Sequence, residues 1–211
     1  MDLYNIRRDF SLKTLDEADA ISNPIEMLNL WLDNAIEAKA LEPTAMTVST
    51  VSTNGRPSSR VVLLKHLTDE GLEFFTNYDS KKGIEISENG YVAINFIWHE
   101  LERQVRIDGI AAKLSEEQSV AYFNMRPRST RIGAWASPQS HVIKNREYLD
   151  NQVEKYTKAF DNKEIPKPLH WGGYIIKPEL FEFWQGRSNR LHDRLQYTKV
   201  NEGWKIERLA P

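Results

Sequence analysis

Residues 44–67 read TAMTVSTVS, TNGRP, SSRVVLLKHL, from Thr44 to Leu67. Two runs rich in Val, Thr and Leu flank five residues centred on Asn54-Gly55. That pair is a hairpin signal, because Asn and Gly accept the positive φ that tight reversals require. The segment therefore predicts two antiparallel strands. The same pattern recurs downstream. GLEFFTN (71–77) follows a turn at Asp69-Glu70-Gly71, and YVAINFIW (91–98) and ERQVRIDGIAAKL (102–114) read as further strands. GGYIIKPELFEFWQG (172–186), RLHDRLQYTK (190–199) and GWKIERL (203–209) close the chain, the last two joined by Asn201-Glu202-Gly203. Strands that follow one another through short turns imply a mainly antiparallel meander or barrel with helices packed outside, rather than a doubly wound parallel sheet.

The helices carry their own signals. Asn23 caps NPIEMLNLWLDNAIEAKA (23–40), Pro24 takes its first position and Glu26 is placed for a capping box. Leu28, Leu32, Ala35 and Ile36, with Trp31 alongside, form the expected buried stripe. DSKKGIEISEN (79–89) predicts a short helix capped by Asp79. Ser115 and Gln118 open another through about Asn124, and residues 145–160 form an amphipathic one. Residues 1–22 are polar and aperiodic, which suggests a mobile arm or lid ahead of one domain over 23–211.

Composition narrows the function. The chain has 211 residues, 40% hydrophobic and 10% aromatic, enough for one sizeable core. Its net charge of −2 disfavours a general nucleic-acid binder. With no cysteine there is no disulfide, catalytic thiol or thiolate metal site. The charged start, MDLYNIRRDF, has no secretory apolar core and no run is long enough for a membrane span, so a soluble cytoplasmic protein is expected. The glycines form neither a dinucleotide nor a Walker loop, and the five histidines are scattered, so no compact metal site is indicated. Any enzymic chemistry would then come from an organic cofactor.

Positive charge is local. WQGRSNRLHDR (184–194) gathers three arginines, His192 and Trp184. Read as a strand, it projects Arg190, His192 and Arg194 from one face, with Leu191, Leu195 and Tyr197 on the other. Arg60 and Lys65 bracket an apolar strand, and their odd separation puts them on opposite faces. Lys81 and Lys82 begin a predicted helix, where an anion would relieve their conflict with the helix dipole. Arg126, Arg128 and Arg131, with Tyr122 and Thr130, offer forked and hydroxyl donors suited to a phosphate. Gln104 can donate to and accept from a ring edge; Gln139 and Ser140 follow Pro138 in a loop. Each cluster alone is also compatible with a solvated surface. Together they exceed what one phosphate needs and suggest two phosphorylated ligands, one of them aromatic.

FEFWQGRSNRLHDR (181–194) closely resembles the C-terminal motif of the pyridoxamine (pyridoxine) 5′-phosphate oxidase family. The resemblance extends through RVVLLK, FFTNYDSKK, LERQVRI, YFNMRPRSTRIGAWASPQS, WGG and WKIERLAP, nearly all the chain after about residue 40. It implies an FMN-binding split β-barrel and a homodimer with FMN at the subunit interface. It also implies oxidation of pyridoxine or pyridoxamine 5′-phosphate to pyridoxal 5′-phosphate, the last step of vitamin B6 cofactor synthesis and salvage. Oxygen would reoxidise the flavin to give hydrogen peroxide, with ammonia released from the amine. Carried over by motif position, the FMN residues would be Arg60, Lys65, Thr76, Lys81, Lys82, Gln104, Gln139, Ser140, Trp184 and Arg194. Arg60, Lys81, Lys82 and Ser140 would meet its phosphate, and Gln104 its ring edge. Lys65, Tyr122, Arg126 and Thr130 would hold the substrate phosphate; Arg190 and His192 would lie at the substrate ring as the catalytic pair. Arg7, with Phe10, would belong to the lid. The chain departs from the family's usual pattern at Lys81 (often Arg), Thr130 (often Ser) and Phe10 (Tyr in some relatives). Alternatives are a split-barrel relative with another cofactor or substrate, and a non-catalytic phosphate- or nucleic-acid-binding module.

Overall fold

The structure, a computed structural model, describes residues 1–6 and 8–211. Its centre is a nine-stranded antiparallel sheet. The opening hairpin is present as β1 (Ala45–Val51) and β2 (Pro57–Leu63), paired from Ala45↔Leu63 to Val51↔Pro57. The reversal is a five-residue loop, with Ser52 N bonded to Arg56 O at 3.1 Å and Gly55 at φ +78°. The predicted second strand does not continue through Leu67. It breaks after Leu63 and resumes as β3 (His66–Thr68), which pairs with β4 (Gly71–Asn77). Leu64 N still bonds Thr44 O on the β1 side at 2.9 Å, whereas Lys65 N bonds Glu73 O on β4 at 2.9 Å. The chain changes partner between two adjacent residues.

That change curls the sheet. With β5 (Tyr91–Trp98), β6 (Arg103–Lys113) and β7 (Trp171–Gln185), the strand order is β2-β1-β5-β6-β7-β4-β3. The two ends of that path are consecutive in sequence and separated by Leu64 and Lys65 only, so the path must bend back on itself. β7 is the spine: its first half pairs with β4, its second half with β8 (Asp193–Val200), and β6 runs along both. A register shift at Asp108/Gly109 lets β6 follow the bend, and a Cβ on Gly109 would lie 2.4 Å from Lys177 O. β9 (Gly203–Arg208) pairs with β8 across Asn201-Glu202, and Gly203, expected in the turn, is the first residue of the strand.

The interior is apolar and aromatic: Phe74, Phe96, Phe181, Phe183 and Tyr197 are fully buried. Helix α1 (Pro24–Glu37) covers it with Leu28, Trp31, Leu32 and Ala35, as its periodicity predicts. Two details differ. Ile36 is exposed, because the face is completed by Ile25 and Met27 instead, and Asn23 Oδ1 accepts from Ile25 N at 3.0 Å with no reciprocal bond from Glu26. Helix α2 (Lys81–Glu88) is capped by Ser80 rather than Asp79, with Ser80 Oγ accepting from Gly83 N. Helix α3 (Glu116–Met125) has the expected Ser115/Gln118 box. Helix α4 (Arg128–Ala136), unanticipated, packs against α5 (Arg146–Ala159), with Arg128 donating to the carbonyls of Phe160 and Lys163. Among the described residues no helix is long and apolar enough to cross a membrane.

Candidate active site

A cleft of about 1000 Å³ opens between the β2–β3 bend, the start of α2 and the α3–α4 corner. Arg60, Lys65, Thr76, Lys81, Lys82, Gln139 and Ser140 line it, together with Tyr122, Arg126 and Thr130. Arg60 and Lys65 meet here despite their odd separation, because the bend at Leu64–Lys65 interrupts the alternation of faces. Ten of the residues singled out from sequence thus converge on one cleft.

The cleft is built to carry positive charge. Lys82 is buried; its Nζ donates to Thr76 Oγ1 at 3.0 Å and Gln139 Oε1 at 3.2 Å. Burial, aided by the charge of Arg60, pulls its pKa down to about 8. The Arg126 guanidinium lies 4.6 Å from the Trp171 ring centre and donates from Nη2 to Thr130 O at 3.0 Å. Its Nη1 is buried with no hydrogen-bond partner. An orphaned cationic donor is costly unless a ligand satisfies it, and an anion does so. Tyr122 stacks on Phe75 at 3.9 Å, and burial raises its pKa, which keeps the phenol as a donor. Ser140 is held at φ +71° beside Gln139. Of the three arginines of the α3–α4 corner only Arg126 faces the cleft; Arg128 is committed to backbone carbonyls.

The remaining candidates form a second group. Gln104, Trp184 and Arg194 are cross-strand partners on β6, β7 and β8, so their side chains stand in one row. Arg194 makes a two-point ion pair with Glu182, at 2.9 and 3.0 Å, and donates to Ala210 O. None of the three lines the cleft. The expected strand over 190–199 begins only at Asp193. Asn189 and Arg190 take φ of +55° and +62° in a short 3-10 turn, so Arg190, His192 and Arg194 do not share a strand face, and Leu191 is 67% exposed. His192 instead rests against Trp184, ring centres 4.6 Å apart. Its Nδ1 accepts from Arg187 N at 3.1 Å, which places the ring proton on Nε2. Burial, then the charge of Arg190, lowers its pKa, with Asp193 opposing, so the imidazole is neutral near pH 7.

The N-terminal segment docks on this second group. Ser11 and Leu12 donate their amides to the buried Glu102 carboxylate at 2.8 and 3.0 Å, and Leu15 N donates to Asp193. Phe10 lies 5.8 Å from both Trp184 and His192. Arg7 lies outside the described residues. Sequence reasoning missed Glu102, as well as Phe75 and Trp171, which shape the cleft, and Glu85 behind it; aromatic and acidic residues in alternating strands or helices carry no sign of which ligand they back.

A curled antiparallel sheet with a polybasic cleft and a separate Trp–His–Arg ledge defines a split-barrel protein. A sequence model described as "Pyridoxamine 5′-phosphate oxidase" matches residues 32–159, and one described as "Pyridoxine 5′-phosphate oxidase C-terminal dimerisation region" matches 171–211. The chain belongs to the pyridoxamine 5′-phosphate oxidase family. It is 50% identical over 211 residues, the whole of both chains, to a protein of Neisseria gonorrhoeae named pyridoxine/pyridoxamine 5′-phosphate oxidase. The crystal structure of PhzG from Burkholderia lata, in complex with tetrahydrophenazine-1-carboxylic acid, is 32% identical with TM-score 0.89, covering 95% of this chain and 100% of that one. A pyridoxamine 5′-phosphate oxidase-related, FMN-binding protein of Nostoc punctiforme shares the fold at 17% identity and TM-score 0.69, covering 86% and 96%.

Proposed function

We propose that this chain is an FMN-dependent oxidase that converts pyridoxine 5′-phosphate and pyridoxamine 5′-phosphate to pyridoxal 5′-phosphate. The carrying observation is the convergence of Lys65, Tyr122, Arg126 and Thr130, with the unpartnered Arg126 Nη1, beside a second cationic set, Arg60, Lys81 and Lys82, in a member of this family. Two anion grips in one cleft suit a phosphorylated substrate next to a phosphorylated cofactor. FMN, when bound, would supply a two-electron acceptor for the hydride from the substrate's C4′, with oxygen as the terminal acceptor and hydrogen peroxide as its product.

The protein's part is placement. Lys65, Arg126, Tyr122 and Thr130 hold the substrate phosphate, and this remote binding energy aligns the reacting ring. Arg60, Lys81, Lys82 and Ser140 hold the cofactor phosphate, with Thr76 and Gln139 fixing the Lys82 ammonium. Gln104, Trp184 and Arg194 complete the cofactor site, and Arg190 and His192 meet the substrate ring. A neutral His192 with its proton on Nε2 serves as a donor to the substrate rather than as a strong base.

This assignment requires a second copy. In one chain the Gln104–Trp184–Arg194 row lies outside the cleft, Ile97 beside it is exposed, and 171–211 matches a dimerisation region. A homodimer brings the ledge of one protomer to the cleft of its partner, with FMN at the interface. Within each protomer, 23–211 forms the single barrel domain and the arm, including Arg7, acts as a lid. A carboxylated ring ligand, as in the PhzG complex, would leave the phosphate grip of Lys65 and Arg126 without its dianion, which disfavours that substrate class.

The test is an anaerobic titration of the flavin-loaded protein with pyridoxine 5′-phosphate, following the visible flavin band. Bleaching that reverses on admitting air is the expected result. Flavin that stays oxidised would remove the substrate assignment, and failure to bind FMN at all would remove the site.

A further inference from the structure

Behind the cationic wall lies a buried carboxylate that neither the sequence pattern nor the family motifs assign. Glu85, on α2, has a side chain only 4% exposed. Its Oε2 accepts from the Thr50 hydroxyl and from Ser58 Oγ at 2.6 Å. The same two hydroxyls accept from Arg60: Nη1 reaches Thr50 Oγ1 at 2.6 Å and Nη2 reaches Ser58 Oγ at 2.6 Å. A hydroxyl has one proton, so each relays in one direction, from guanidinium through hydroxyl to carboxylate. Arg60 and Glu85 are 3.5 Å apart at their nearest atoms. The other oxygen, Oε1, is buried without a hydrogen bond, and the Lys81 ammonium lies 3.8 Å from it. Burial would raise the carboxyl pKa, but the bonds from Ser58 and Thr50 and the charges of Lys81 and Arg60 outweigh it, so Glu85 is ionised at neutral pH.

We propose that Glu85 is a built-in counter-anion of the phosphate cradle: it positions Arg60 through Thr50 and Ser58 and engages Lys81 until a dianionic ligand group takes that lysine over. The inference rests on the FMN reading above. Arg60, Lys81 and Lys82 line one wall of the cleft, and without a ligand their charges repel. Glu85 supplies the missing negative charge from behind, where it cannot block the cleft. Two opposite effects follow. Its acceptor geometry helps the ligand by fixing Arg60. Its charge opposes the ligand, by repelling an incoming phosphate and by competing for Lys81.

The two effects separate in two variants. Glu85→Gln keeps a carbonyl oxygen for both hydroxyls but removes the charge; Glu85→Ala removes both. The measurement is the dissociation constant of FMN and of riboflavin, which lacks the phosphate, by quenching of flavin fluorescence on the cofactor-free full chain. Glu85→Gln should tighten FMN by about threefold to tenfold, the scale of one partly screened charge, and leave riboflavin unchanged. Glu85→Ala removes the charge too but leaves the Thr50 and Ser58 hydroxyls without the acceptor that orients them toward Arg60, so it should bind FMN about tenfold more weakly than Glu85→Gln does, again without effect on riboflavin. If a Glu85 variant fails to fold, Ser58→Ala interrupts one relay alone and should weaken FMN by about threefold to fivefold, riboflavin unaffected. Weaker FMN binding in Glu85→Gln, or equal changes for both flavins in the variants measured, would overturn the proposal. A wild-type chain that binds neither flavin would overturn the FMN reading and this inference with it. A wild-type chain that binds FMN, with variants that match it, would overturn the counter-anion alone.

Discussion

The depressed pKa of Lys82 predicts that binding a phosphate there takes up protons within a defined pH window. Its ammonium is buried among neutral oxygens of Thr76, Gln139 and Ser80, with the charge of Arg60 nearby, and titrates at about 8 instead of 10.5. A dianionic phosphate beside it supplies the counter-charge that burial denies, so the bound-state pKa should return toward its ordinary value. The free protein then holds roughly 0.9, 0.5 and 0.1 proton on Lys82 at pH 7, 8 and 9, while the complex holds about one throughout. Binding of FMN should take up about 0.1, 0.5 and 0.9 proton at those three values; the ligand's own second ionisation, near pH 6, contributes little above pH 7. The sign for stability follows. The folded-state pKa is below the unfolded one, so the unfolded chain binds more protons between about pH 8 and 10.5, and stability of the cofactor-free protein rises with pH across that window. The ceiling is roughly 3.5 kcal/mol at about 1.4 kcal/mol per pKa unit. Calorimetric titration with FMN in two buffers of different ionisation enthalpy, at each pH, counts the protons. Uptake that stays flat from pH 7 to pH 9, or that survives in Lys82→Met, would refute the assignment of Lys82 to the phosphate.

Three further outcomes are expected. Lys65→Ala and Arg126→Ala should each raise the KM for pyridoxine 5′-phosphate by about 10- to 150-fold, the value of one charged hydrogen bond, and unchanged KM in steady-state assays of both would remove the substrate-phosphate grip. Arg190→Ala should lower kcat/KM by at least about tenfold while FMN stays bound, as judged by the flavin spectrum; wild-type turnover would take Arg190 out of the site. In Gly186→Ala the new Cβ would sit 2.8 Å from Phe10 Cγ, so the arm should lift from Trp184 and His192 at a cost of about 1–3 kcal/mol, and trypsin should cut faster after Lys13; an unchanged cleavage rate would show that Phe10 does not hold the arm down.

Much of the architecture was legible because its causes are local. The hairpin around Asn54-Gly55, the Ser115/Gln118 box and the turn at Asn201-Glu202 are each dictated within a few residues. The break between β2 and β3 is different. RVVLLKHL contains no Gly or Pro and reads as one strand; it divides because Leu64 finds its backbone partner on β1 and Lys65 finds its own on β4, a choice made by distant segments. The same limit applies to residues 190–192. Leu191, Leu195 and Tyr197 alternate like a strand, yet Asn189 and Arg190 turn left-handed, and the only local hint is Asn, which tolerates that region better than most residues.

These two failures bear on function in opposite ways. Strict alternation sent Arg60 and Lys65 to opposite faces, and the unforeseen bend returns both to one cleft. Strict alternation also gathered Arg190, His192 and Arg194 on one face, and the left-handed turn separates them, leaving Arg194 in the row with Gln104 and Trp184 and placing His192 against Trp184 under Phe10. The cleft therefore gains both Arg60 and Lys65 from a tertiary bend, whereas the ledge is divided between a strand and a turn. A single chain presents these as two unconnected surfaces. Uniting them needs a geometric operation that no pattern within one chain encodes; in the proposed homodimer a two-fold axis relating cleft and ledge would supply it, which would make the dimer part of the chemistry rather than an accessory to stability.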